Sequence, residues 1–191
     1  MKKYKLTNET IVYFGITLYR IEALMDFSDV KTGDKGGFVQ SENNLSQLGN
    51  AWVYGNAKVY DNAEVYGNAK VCGDAKVCGD AWVYGDAKVY GNAKVCGNAK
   101  VCGDADVYGK AEVRGDAKVY KNSDYIVFKN WWSSGRYFTW TRSNNMWKVG
   151  CFYGNGEELI KKAYADSEES GREYERVVRY VENILADELN K

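Results

Sequence analysis

Gly49-Asn50-Ala51-Trp52-Val53-Tyr54 opens a six-residue pattern, Gly-(Asn/Asp)-Ala-x-Val-(Tyr/Cys), that runs unbroken to Gly115-Asp116-Ala117-Lys118-Val119-Tyr120. The stretch holds twelve units. Ala and Val occur in every one; the glycine is replaced once, by Asp61, and the Asn/Asp once, by Lys110. Ala-x-Val alternates, so Ala and Val point to one side of a short strand and x to the other, with the following Tyr or Cys outward again. Gly-Asn then turns the chain, because both residues accept positive φ. A short strand and a corner, repeated, predict a solenoid filled by Val and Ala.

Read from valine, Val-x-Gly-(Asn/Asp)-Ala-x resembles the hexapeptide repeat of left-handed parallel β-helices. The resemblance implies three hexads per triangular coil, hence four coils from 49–120 and a rod of roughly 19 Å at ~4.8 Å per coil. The implied 18-residue period stacks Val53, Val71, Val89 and Val107; Val59, Val77, Val95 and Val113; and Val65, Val83, Val101 and Val119. Outside, Lys58, Lys76 and Lys94 form a ladder ending at Glu112, beside Tyr60, Cys78, Cys96 and Arg114. The ladder reads as a solvated face or as an anion site. Tyr54, Tyr90 and Tyr108 on one face, and Tyr66 and Tyr84 on another, are candidates for a homo-oligomer interface; the family's habit favours a trimer. Cys78 and Cys96 fall within disulfide reach on neighbouring coils, although all four repeat cysteines read as reduced.

Residues 1–48 read as an N-terminal β cap, with strand-like segments at Tyr4–Leu6, Ile11–Phe14 and Thr17–Ile21 and turns at Gly33, Gly36 and Gly37. Lys3-Tyr4-Lys5-Leu6, Ile21-Glu22-Ala23, Asp26-Phe27-Ser28-Asp29-Val30-Lys31, Gly36-Gly37-Phe38-Val39 and Asn44-Leu45-Ser46-Gln47 are similar to the start of the YdcK-type transferases, bacterial left-handed β-helix proteins. That likeness raises acyl transfer. Hexapeptide acyltransferases use a histidine base, and this chain has no histidine, so no catalytic residue carries over.

Residues 121–191 form an aromatic-rich α+β module. Strands are predicted at Tyr125–Trp132, Arg136–Arg142 and Met146–Tyr153, with turns at Ser133-Ser134-Gly135 and Ser143-Asn144-Asn145. Helices follow at Glu157–Ala165 and Arg172–Leu189, separated by Gly171, giving β-β-β-α-α. Residues 121–153 carry a net charge of +4 and ten aromatics, and 154–191 carry −4. Aromatics interleaved with cations can stack a base and grip its phosphates. Lys129, Trp131, Trp132, Arg136, Trp140, Arg142 and Trp147 are therefore the candidate ligand or partner site, against the alternative that one sheet face is simply core. Cys151 reads as core.

The whole chain of 191 residues has 26 basic and 26 acidic side chains, which argues against nonspecific nucleic-acid binding by bulk charge. The absence of histidine removes Ser-His and Cys-His dyads and His metal ligands; no metal or cofactor is expected. No apolar window reaches membrane-spanning length and no secretory signal is visible. An odd cysteine count of five fits a reducing cytoplasm. The Gly-Asn-Ala-Lys-Val-Tyr wording and Asn130-Trp131-Trp132-Ser133-Ser134-Gly135-Arg136-Tyr137 resemble small proteins of phages and prophages. This implies a non-enzymatic binder inside a bacterial host, sequestering a nucleotide-type signal or blocking a host defence protein. A histidine-free acyltransferase-like enzyme and a structural phage component are the alternatives.

Overall fold

The computed structural model describes residues 2–132 and 134–189. The twelve hexads become two-residue strands in three parallel columns. One column is β4, β7, β10 and β13 (Trp52–Val53, Lys70–Val71, Lys88–Val89, Asp106–Val107). A second is β5, β8, β11 and β14 (Lys58–Val59, Lys76–Val77, Lys94–Val95, Glu112–Val113). The third is β6, β9, β12 and β15 (Glu64–Val65, Trp82–Val83, Lys100–Val101, Lys118–Val119). Register follows the 18-residue spacing, Lys58 on Lys76 and Val59 on Val77. Every repeat Ala and Val is buried.

The coil starts before the repeat does. β1 (Tyr4–Tyr13) and β2 (Ile16–Ala23) form a hairpin whose turn, Phe14-Gly15, has positive φ at both residues (48° and 79°), the geometry that matches strand twist. β3 (Lys35–Val39) pairs antiparallel with β2 and parallel with β5. Val39 therefore stacks on Val59, and Leu45 bridges to Val65. These add most of a turn, so the solenoid has about five turns rather than four.

Both open ends are closed by side chains. At the first turn, Lys3 Nζ donates to Ala51 O (2.9 Å), Asn44 Nδ2 to Ala63 O (2.9 Å) and Arg20 to Gly36 O (2.7 Å). At the last, Asn122 Oδ1 accepts from Asp106 N (2.7 Å), Thr139 Oγ1 from Glu112 N (2.9 Å), Ser143 Oγ from Lys118 N (2.6 Å) and Asp124 from Tyr120 N (2.8 Å). Tyr125 and Tyr153 hydroxyls donate to Asp106 O and Arg114 O. Unpaired strand edges invite pairing with another chain; here nine polar side chains stand where the next coil would be.

The C-terminal sheet has four strands, not three: β16 (Tyr125–Lys129), β17 (Tyr137–Thr141), β18 (Met146–Val149) and β19 (Phe152–Gly154), all antiparallel. Gly150 (φ 55°) and Cys151 make an extra turn inside the expected third strand, so Cys151 is exposed, not core. Ser133 of the first turn lies outside the described residues. Helices α1 (Gly156–Asp166) and α2 (Glu168–Leu189) cover the sheet. Asn155 caps α1 reciprocally with Glu158. Ser167, not Gly171, divides the helices: it is extended and its Oγ accepts from Ser170 N. Gly171 sits within α2 because the Tyr164 ring fills the place of a Cβ. Among the described residues no helix is long and apolar enough to cross a membrane.

Candidate functional site

The C-terminal sheet has two unlike faces. Phe138, Trp140, Trp147 and Val149 pack against Leu159, Ile160, Val178 and Val181 of the helices. Trp140 and Trp147 are 1% and 2% exposed, and Trp140 Nε1 donates to Asn145 Oδ1. Their rings are sealed inside, which removes both from the expected ligand site. Alternation along β17 puts Tyr137, Thr139 and Thr141 on the opposite face, where Thr139 caps the solenoid.

Arg142 is also committed elsewhere. Its guanidinium grips both oxygens of Glu188 (2.6 and 3.2 Å) and donates to Ser123 O. It ties the end of α2 to the solenoid's last turn. Trp131 is 83% exposed and meets Trp132 edge-on. Trp132 is half-buried on Phe138 and Tyr174, its Nε1 buried without a hydrogen-bond partner. Arg136 lies across Gly150, whose added Cβ would stand 3.3 Å from Arg136 Cδ.

Lys129 stands at the far end of β16, directly across from Tyr137. Below them a cleft of about 390 Å³ opens between β16 and the Gly109-Lys110 corner of the last solenoid turn, lined by Tyr108, Gly109, Lys110, Asn122, Tyr125, Ile126, Val127 and Tyr137. Lys110 Nζ sits 5.1 Å from the Tyr137 ring centre. Tyr108 is 51% exposed and stacks on Tyr90 at 5.3 Å and 12°. No coil covers the neighbouring corner: a Cβ built on Gly109 meets nothing within 4 Å. Burial pushes the Tyr125 hydroxyl up to about 12, so it stays a donor to Asp106 O. The sequence alone does not single out Lys110, Tyr125 or Tyr137 as site residues. The signal was present, since Lys110 is the one break in the Asn/Asp column.

The other outer columns are partly spent. Tyr54 is not free for an interface: its hydroxyl donates to Asp29, which also pairs with Lys70. Tyr66 and Tyr84 stack at 4.9 Å, with Trp82 beside them under Lys100. The lysine ladder is roofed by the hairpin tip, Tyr13 lying near Lys58, Lys76 and Tyr60. At its far end Glu112 meets Lys94, Arg114 and Lys148. Burial disfavours the Glu112 carboxylate, but those cations outweigh it and its pKa falls.

No family model matches the chain. A stretch of 62 residues is 36% identical to a protein named as an uncharacterized acetyltransferase, YdcK of Escherichia coli strain K12. It covers 28% of this chain and 19% of that protein. The chain therefore spans about a fifth of the length of the curated relative it matches.

Proposed function

We propose that this is a non-catalytic binding protein, and that the cleft beside Lys110 seats a nucleotide-type ligand. The observation that carries the reading is the cleft beside the exposed Tyr108 ring of the Tyr90–Tyr108 stack, next to a lysine that forms no ion pair among the described residues. A planar base laid on Tyr108 continues the ladder at its own spacing, and such stacking is worth about 1–3 kcal/mol per base. Lys110 and Lys129 then lie within reach of its phosphate. In a bacterial cell infected by a phage, such a protein would sequester a nucleotide signal or occupy a host defence protein. Self-association belongs to the same reading, through the face carrying Tyr66, Tyr84 and Trp82, with a trimer favoured; sedimentation analysis tests it.

The test of the cleft is calorimetric titration with adenosine monophosphate, alongside adenosine and ribose 5-phosphate, each lacking one half of the ligand. Lys110→Ala and Tyr137→Ala should each weaken nucleotide binding about tenfold or more, whereas Arg136→Ala and Trp131→Ala should not. Binding untouched by both cleft variants removes the site. Acyl transfer is the second reading, favoured by the name of the matched relative. Turnover of acetyl-coenzyme A would establish it, by a mechanism without imidazole.

A further inference from the structure

On the helix side of the same sheet lies a second cavity, of about 280 Å³, independent of the nucleotide cleft. Its floor is apolar: Val149, Leu159 and Ala163 are 3%, 1% and 2% exposed, and Phe152 and Tyr174 wall it. Its rim is polar, formed by Arg136, Lys162, Asp166 and Cys151. The extra turn at Gly150-Cys151 creates the opening. Gly150 adopts φ 55° and carries no side chain, so the Arg136 guanidinium lies against it at the mouth, 3.5–3.8 Å from where a Cβ would be.

Among the described residues neither Arg136 nor Lys162 forms an ion pair, whereas Arg142, Arg176 and Arg179 each do. Two uncompensated cations and one carboxylate leave the mouth net positive. An apolar floor under fixed cations selects a ligand with an apolar body and an anionic end. The volume, at the lower end of small-molecule pockets, limits the body to one compact unit. The floor is aliphatic and the cavity lies on the helix side of the sheet, which separates this site from the junction cleft.

We propose that this cavity binds a compact organic anion with an apolar body, an aryl carboxylate being the representative class. The carboxylate is held at the mouth by Arg136 and Lys162, and the ring lies on Val149, Leu159 and Ala163. Charge-assisted hydrogen bonds of this kind contribute about tenfold or more in affinity each. Asp166 disfavours a dianion and so favours a single carboxylate.

The experiment is calorimetric titration of the full chain with 2-naphthoate and with its neutral analogue 2-naphthamide. The acid should bind and the amide should bind at least tenfold more weakly. Arg136→Ala and Lys162→Ala should each weaken naphthoate about tenfold, with melting temperatures unchanged because both side chains are exposed. Lys110→Ala should leave naphthoate binding intact, and this keeps failure here distinct from failure of the nucleotide reading. Equal binding of acid and amide, wild-type binding by the Arg136→Ala/Lys162→Ala double variant, loss of naphthoate binding in Lys110→Ala, or no binding of naphthoate at all would each overturn the proposal.

Discussion

Three corner glycines, with nearly the same backbone and different surroundings, separate two costs of a β carbon in this solenoid. Gly55, Gly79 and Gly109 have φ of 59°, 69° and 67°. An alanine at any of them meets the left-handed penalty, about 1–2 kcal/mol. Beyond that they diverge. At Gly109 the new Cβ meets nothing within 4 Å, and at Gly55 its nearest neighbour is Gly73 O at 3.8 Å. At Gly79 it stands 2.9 Å from Gly97 N and 3.2 Å from Gly97 Cα and O. Those atoms are backbone of the next coil and cannot rotate away, so the coils must part locally, at the roughly 1–3 kcal/mol typical of overpacking. The gain from restricting the unfolded chain is common to all three and cancels. Gly55→Ala and Gly109→Ala should thus lose about 1–2 kcal/mol and Gly79→Ala about 2–5 kcal/mol. At roughly 2–4 °C per kcal/mol for a chain of this size, calorimetric melts resolve the difference. Equal losses at all three would refute the claim that inter-coil contact, rather than φ alone, demands glycine. Nature has run part of the test, since Asp61 occupies a corner at φ 58°. Its neighbours repay it: Gln40 Oε1 accepts from its N–H, and its carboxylate accepts from Gly79 N.

Other outcomes follow from the same packing. Trp147→Ala should destabilise the C-terminal module by about 3–5 kcal/mol, as for other buried tryptophans, with loss of near-ultraviolet dichroism rather than a selective loss of ligand affinity. Asp29 is hydrogen-bonded by Lys70 and Tyr54, which hold its carboxyl below the ordinary 3.8. Its contribution is present above the unfolded pKa and disappears as the pH falls below about 4; Asp29→Asn should flatten that part of the acid titration of stability. Cys78 and Cys96 occupy stacked positions of neighbouring coils, and Cys78 N donates to Val95 O. Mild oxidation should join them, the oxidant taking two electrons and the chain losing two hydrogen atoms by mass, and add up to about 3 kcal/mol of stability for a loop of this length; Cys78→Ser should abolish both effects.

The solenoid was legible because one physical unit is written twelve times, and Ala and Val are 0% exposed throughout. Its first turn was not, because β3 and Leu45 pair with the coil at a spacing of 20 rather than 18 residues, Val39 with Val59 and Leu45 with Val65. In the C-terminal module composition found the aromatic sheet but not its sides. Trp140 and Trp147 look like ligand-stacking residues in a string and become core once two helices cover their face. Arg142 carries the charge expected of a binding residue, yet Glu188, 46 residues away, takes it. Long-range partners of this kind leave no local trace. Lys110 did leave one, and it gained meaning only when its corner was found beside Tyr137.

The capped ends have a consequence for how such a chain can change length. Each coil is 18 residues, the C-terminal cap sits on the last rim, and the N-terminal cap reaches onto the first two coils, to Lys70 and Lys76. Duplicating or deleting 18 residues beyond Lys76 translates one cap along the axis and leaves both seams intact. Duplicating six turns the C-terminal module by a third of a revolution relative to the N-terminal hairpin, so Thr139, Ser143 and Tyr153 would arrive above the wrong columns. The molecule can therefore be lengthened in whole turns like a threaded spacer, while the angle between its two ends stays fixed by arithmetic.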